Sequence, residues 1–286
     1  MDIKCIQNTD VDEFLRLNEA LLVLNESMNN LILGLSNSIK TKTLVSEEPL
    51  FFTLMSNDSI VGQAIRTHHN KPLAITEMNV YALNSLIDHL SRLDLELIGV
   101  TGPKDSSTVF SSSWAKRKTK SLNLAMNQGI YELVKVIEPN YRNGKIFVAT
   151  EDHKRLVEDY AERFINDCFP IENEPRKRAE EMTERHLRNS SIYLWQNSEG
   201  DIVSMAAKQR ESRNAATISL VYTPNEKRGN GYASCLVARL SSKLLHEGKE
   251  KCNLVTDLTN PTSNSIYKKI GYKLVAESQF YKFENT

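Results

Sequence analysis

Val221-Tyr222-Thr223-Pro224-Asn225-Glu226-Lys227-Arg228-Gly229-Asn230-Gly231-Tyr232-Ala233-Ser234 joins a strand-forming run to a long amphipathic one. Upstream, Ala215–Thr223 is rich in Thr, Ile, Leu, Val and Tyr and is closed by Pro224, which reads as a strand. Downstream, Leu236, Val237, Leu240, Leu244 and Leu245 keep helical spacing, and Gly248 is a natural stop. Gly229 and Gly231 let the backbone turn sharply and approach a ligand with no Cβ in the way. The loop runs onto a helix N-terminus, where unpaired N–H groups and the helix dipole favour an anion. A diphosphate suits that place, and Arg228 can add a charge-assisted hydrogen bond. A G-x-G by itself reads equally as a surface turn opening a helix. Two other phosphate loops fit poorly. A P-loop needs four residues between its glycines and then Lys-Ser/Thr. A dinucleotide fingerprint needs a third glycine where this chain has Ser234, in the first strand–helix turn of its domain.

Working outward, Glu151–Phe169 places Leu156, Val157, Tyr160, Phe164 and Ile165 on one helical face. The charged run from Glu172 to Arg188 predicts a second helix opening at Pro175. Ser191–Trp195 and Ile202–Ala207 read as strands joined by the turn Asn197–Asp201. Cys252–Asp257 is a further strand, Pro261–Lys269 a short helix ending at Gly271, and Tyr272–Phe283 closing strand material. The N-terminal half repeats the order more weakly. It has helical periodicity from Val11 to about Leu35, strands at Leu50–Met55, Ser59–Arg66 and Leu73–Glu77, a helix at Val80–Leu93, a strand at Glu96–Val100 and a helix at Ser106–Arg117. Two readings stand: a degenerate duplication with its seam near Glu138–Gly144, or an unrelated N-terminal domain. The fold class is α/β with mixed sheets, and the domain division expected is 1–140 and 145–286.

The segment Val221–Thr223 with Arg228-Gly229-Asn230-Gly231-Tyr232-Ala233 resembles the acyl-CoA-binding motif of the GCN5-related N-acetyltransferase (GNAT) superfamily. The second signature follows at the family's distance: Asn260-Pro261-Thr262-Ser263-Asn264-Ser265-Ile266-Tyr267-Lys268-Lys269-Ile270-Gly271-Tyr272. The family opens its first motif with Gln or Arg three residues before the first glycine, where this chain carries Glu226. The resemblance covers residues from about 150 to the end, and the first half only as a degenerate copy. It implies two GNAT-like domains in tandem, each a mixed, mostly antiparallel sheet flanked by helices. It further implies an N-acetyltransferase that moves acetyl from acetyl-CoA, as co-substrate, to a primary amine.

The residue roles that the resemblance implies follow motif by motif. The backbone of Val221, Tyr222 and Thr223 would line the pantetheine arm, an amide near Val221 holding the thioester oxygen. Arg228, Gly229, Asn230, Gly231, Tyr232, Ala233 and Ser234 would cradle the pyrophosphate. Asn260 or Asn264 would bond the pantetheine amides, although asparagines beside Pro261 serve equally as helix caps. Tyr267 would be the general acid for the departing thiolate; the plain alternative is a core tyrosine. Asp257 and Glu211 are candidate general bases that read as readily as structural carboxylates. Cys235 and Cys252 fall on a helix and a strand with no histidine at motif spacing, which favours direct attack over a covalent intermediate. Leu73–Leu86, the first half's counterpart of the glycine loop, has no glycine, so that half is expected to shape the acceptor site or buttress the other.

Composition narrows the rest. Lys+Arg and Asp+Glu both number 36 in 286 residues, a balance that argues against nucleic acid as the main partner. Lys116, Arg117, Lys118 and Lys120 read as a solvated face. No stretch is long and apolar enough to span a membrane, and the N-terminus lacks the apolar core of a signal peptide. Four scattered cysteines and His68-His69 without ligands at metal spacing predict reduced thiols, no metal and a cytoplasmic setting. A monomer or homodimer is expected. The rival readings are an acyl-CoA-binding regulatory module without turnover and a nucleotide-binding protein.

Overall fold

Alternation along the strands sets the layers. In the computed structural model, which describes residues 3–140, 143–169 and 174–285, the chain forms two compact units. The first holds residues 1–131, 255–260 and 274–286; the second holds 132–254 and 261–273. The expected seam includes Tyr141 and Arg142, and the expected second helix began at Glu172; these three lie outside the described residues.

The first unit runs β1 (Ile3–Asn8), α1 (Val11–Leu24), α2 (Asn30–Lys40), β2 (Leu50–Ser56), β3 (Ser59–Arg66), β4 (Leu73–Ile75), α3 (Val80–Arg92), β5 (Gly99–Pro103), α4 (Lys104–Lys118) and most of β6 (Lys120–Leu133). Phe51, Ile65 and Ala74 point to one face of the sheet and pack on Phe14, Leu22 and Leu33 of α1 and α2. Phe52, Leu54, Ala64 and Leu73 point to the other and pack on Leu83, Leu86 and Leu90 of α3 and on Phe110 and Trp114 of α4. This is the period-2 division of a sheet covered on both faces. The periodicity from Val11 to Leu35 forms two helices, not one. The side chain of Asn29 donates to the Leu22 carbonyl at 3.0 Å, closing α1, and Asn-rich residues 25–29 compete with the helical backbone.

The second unit runs β7 (Gly144–Val148), α5 (Lys154–Cys168), α6 (Pro175–Arg188), β8 (Ile192–Asn197), β9 (Ile202–Glu211), β10 (Ala215–Tyr222), α7 (Tyr232–His246), β11 (Lys251–Asp257) and α8 (Pro261–Ile270). Its strands lie in the order β11-β10-β9-β8-β7. The element order of the first unit thus recurs. So does its strand pairing: β4–β5 and β10–β11 are parallel pairs at matching places, each beside an antiparallel pair. A duplicated ancestor accounts for both.

The final strand forms as expected from Tyr272–Phe283, as β12 (Lys273–Asn285), but it lies in the first unit. There β5 takes β12 as its antiparallel neighbour, Tyr281 opposite Val100, and β6 lies outside β12. Tyr281 and Phe283 enter the core beside Phe110 and Trp114, a burial that contributes about 1.5–3 kcal/mol per side chain.

Candidate acyl-CoA site

Strand β10 departs from regular pairing near its end. It pairs in parallel with β11 from Ala215↔Lys251 to Ile218↔Leu254. Against β9 it then shifts register between Ser219↔Ala207 and Tyr222↔Met205, so three steps on β10 face two on β9. The extra residue makes a β-bulge, and Leu220 within it has φ +50. Left-handed backbone is costly for leucine. Burial of its side chain (4% exposed) among Met205, Leu194 and Tyr222 holds it there. Val221 therefore sits in a bulge past the end of the β10–β11 ladder.

The loop after β10 is tied from beneath. Tyr222 buries its ring 5.5 Å from Tyr160, and Ser204 Oγ donates to the Tyr222 carbonyl at 3.0 Å. A 3-10 turn at Asn225–Lys227 leads to Arg228, then Gly229 (φ +80) and Gly231 (φ +78). Asn230 Nδ2 donates to the carbonyls of Lys227 and Arg228 at 3.1 and 3.3 Å, folding the loop on itself. Helix α7 begins at Tyr232, its first bond running from Cys235 N to Gly231 O at 3.0 Å. The amides of Tyr232, Ala233 and Ser234 therefore have no intrahelical acceptor, and no side chain caps the helix. A Cβ on Gly229 would meet nothing within 4 Å, so what glycine supplies there is the positive φ. Replacing Gly231 by Val should cost about 1–2 kcal/mol of stability in urea titration through that φ alone. It should also abolish the acetyl-CoA thermal shift; a retained shift would remove this loop from the site.

Arg163, Lys227 and Arg228 beside the loop are each paired, Arg163 chiefly with Asp159 at 3.1 Å. Lys227 pairs with Asp201 at 2.9 Å, Arg228 with Asp167 at 2.7 Å, and Arg163 lies 3.9 Å from Glu226. Arg228 also donates from Nε to the Thr223 carbonyl at 2.9 Å. It is therefore engaged by protein groups, where the sequence pointed only to an anion. Glu226, the residue that departs from the motif, is exposed.

In the second signature, Asn264 is buried and Asn260, which the contacts group with the first unit, is exposed in the turn after β11. Tyr267 is 8% exposed on α8, its ring edge-on to Tyr272 at 6.1 Å. Burial pushes its phenol well above the usual tyrosine value, with a smaller contribution from Cys168. Among the described residues its hydroxyl has no hydrogen-bond partner. Gly271 (φ +110) is required, since a Cβ would lie 2.9 Å from the Lys135 carbonyl. Both carboxylates considered as bases are otherwise engaged. Asp257 Oδ1 accepts from Thr259 N and Oγ1 at 2.8 Å, closing a turn. Burial would raise Glu211, but hydrogen bonds and charge from Lys208 and Lys249 outweigh it and hold its pKa below the ordinary range. The basic run is likewise paired: Arg117 with Asp88, Lys118 with Asp94, and Lys120 with Glu96.

The first unit's counterpart is closed. Asn79 caps α3, its side chain accepting from Tyr81 N and Ala82 N at 3.0 Å each. Met78 lies where a Cβ on Gly62 would be, 2.5 Å from its Cγ. A Cβ on Gly102 would meet the Ile75 carbonyl at 2.5 Å. Absence of glycine was legible in the sequence; the plug of Met78 and the Asn79 cap were not, although Asn before a helical run is a readable signal. Among the described residues, no three His, Cys, Asp or Glu side chains group to hold a metal, and no helix is long and apolar enough to cross a membrane.

Residues 198–281 match the FR47-like protein family, and solved GNAT structures share the fold of the whole chain. A Drosophila protein of solved structure superposes with a TM-score of 0.68 at 12% identity, covering 99% of both chains. A tandem GNAT protein from the clavulanic acid biosynthesis pathway gives 0.57 at 10% identity, over 100% of this chain and 99% of that one. A GNAT-family acetyltransferase from Colwellia psychrerythraea gives 0.52 at 12% identity over 99% of both. No curated protein sequence matches the chain.

Proposed function

We propose that the second repeat binds acetyl-CoA and transfers its acetyl group to a primary amine, the first repeat (residues 1–140) being a degenerate copy. One observation carries the reading: within one molecule, the two equivalent helix starts differ in a single respect that matters to an anion. At α3 the first amides are consumed by Asn79; at α7 they follow two left-handed glycines and are left to a ligand. A diphosphate on the amides of Gly229–Ser234 uses the positive end of α7. The pantetheine arm then runs along Val221–Thr223, with Asn264 on its amides.

In this reading an amide at the bulge near Val221 holds the thioester oxygen as it becomes an oxyanion, commonly the largest catalytic contribution. The neutral amine attacks the carbonyl carbon, the C–S bond breaks, Tyr267 gives its proton to the departing sulfur, and the surplus proton on the amine nitrogen leaves to solvent, from which the phenol is restored. Acetyl-CoA at a hundred times its Kd should stabilise the full chain by about 2.7 kcal/mol. The thermal shift should be absent with NAD or ATP. Release of free thiol with a member of an amine library then separates a transferase from a module that binds without turnover. A shift with NAD or ATP instead of acetyl-CoA would sink the proposal.

A further inference from the structure

We infer that Asp167, at the end of α5, sets the affinity of the glycine loop for the acyl-CoA diphosphate by competing for Arg228. The inference rests on the acyl-CoA reading above. Asp167 is poorly placed for its own helix: a carboxylate in the last turn opposes the dipole, and α5 has no basic residue there. Arg228 answers both, its Nη2 lying 2.7 Å from Asp167 Oδ2. The same guanidinium is the cation nearest in sequence to the glycines. The loop's other cation, Lys227, is paired with Asp201. An arriving diphosphate thus meets three cations already engaged by carboxylates: Arg163 by Asp159 and Glu226, Lys227 by Asp201, and Arg228 by Asp167. For Arg228 to serve a phosphate it must leave Asp167 or share itself with it, and in either case the carboxylate repels the ligand.

The opposing effect is preorganisation, since Asp167 also steadies Arg228. That contribution is largely kept in Asp167→Asn, because the amide oxygen can still accept and the Thr223 carbonyl still holds Nε. Repulsion between exposed charges is small but not negligible, so it decides the sign. Asp167→Asn should tighten acetyl-CoA binding roughly threefold to tenfold in calorimetry at 50 mM salt. The gain should fall toward nothing at 500 mM, where exposed charges are screened. Arg228→Ala should weaken binding under the same conditions. Weaker binding by Asp167→Asn would make Asp167 a buttress and overturn the inference, as would a gain indifferent to salt. If the wild-type chain does not bind acetyl-CoA, the acyl-CoA reading itself fails, which is a separate and recognisable result.

Discussion

Tyr267→Phe should lower turnover about a hundredfold or more while the Kd for acetyl-CoA stays within about twofold, the size expected for losing a general acid. The measurement is thiol release at saturating acetyl-CoA with whichever library amine gives the fastest wild-type rate, beside calorimetry for binding. The substitution tests chemistry rather than folding. The phenol has no hydrogen-bond partner among the described residues, so Phe leaves no buried group orphaned and keeps the edge-on contact with Tyr272. The raised pKa has two consequences. Tyr267 stays protonated at any physiological pH, so the acid form is always loaded. Transfer to a free thiolate of pKa about 8.5 is uphill from an ordinary phenol near 10, and more so from this one. In the proposed reaction the proton therefore moves as the C–S bond breaks, and loss of the acid is expected in kcat, not in binding. Equal turnover in the variant would return Tyr267 to the core tyrosine that its burial also permits.

Much of this was written in local sequence. Strands β8, β9 and β10, helix α7 and the stop at Gly248 follow from periodicity and turn chemistry, which act within about ten residues. The short signals at Gly229, Gly231 and Gly271 fall where the backbone needs positive φ. What was not legible is non-local. Strands β1, β6 and β7 lack a strong local signature, and Leu122 and Leu124 of β6 stay exposed. The place of β12 beside β5 depends on Tyr281 and Phe283 finding Phe110 and Trp114, some 170 residues upstream. The bulge at Leu220 is a compromise between β9, β11 and the core, and no residue type there announces it.

The two repeats explain each other. Both keep the parallel pair and the helix that follows it, because those bury the apolar faces on which each unit's stability depends. They diverge outside those apolar faces, at the loop between strand and helix. In the first repeat Asn79 and Met78 fill that place with stabilising contacts: a helix cap contributes about 1 kcal/mol, and Met78 is buried. In the second the same place holds two left-handed glycines, which offer no capping side chain, with a left-handed leucine and an uncapped helix that are unfavourable in the free chain. A fold retains such a cost where a ligand repays it. That contrast, more than the G-x-G pattern, supports one working site in the second repeat.

Acid should destabilise the second unit through His186, at about 1.4 kcal/mol per pH unit below pH 6.5. His186 is 3% exposed on α6, with Nδ1 2.7 Å from Ser191 Oγ and Nε2 3.5 Å from the Arg185 guanidinium. Burial, and then the Arg185 charge, push its pKa from 6.5 down to about 3. The unfolded chain therefore binds a proton near pH 6.5 that the folded chain refuses until about pH 3. The neutral ring's contribution is whole above pH 6.5 and is lost as pH falls toward 3, amounting to about 2 kcal/mol by pH 5. Urea titrations from pH 7.5 to 4.5 should show this slope in the wild type. His186→Gln should be less stable at pH 7.5, having lost the bond to Ser191, yet lose less stability over the same range. The residual slope belongs to carboxylates and to half-buried His89, whose pKa burial also lowers. The comparison of slopes is what counts, because any packing defect in the variant is independent of pH. Parallel curves would mean that the ring is protonated in the fold near its ordinary pKa, with Ser191 accepting from Nδ1–H and Arg185 moved aside.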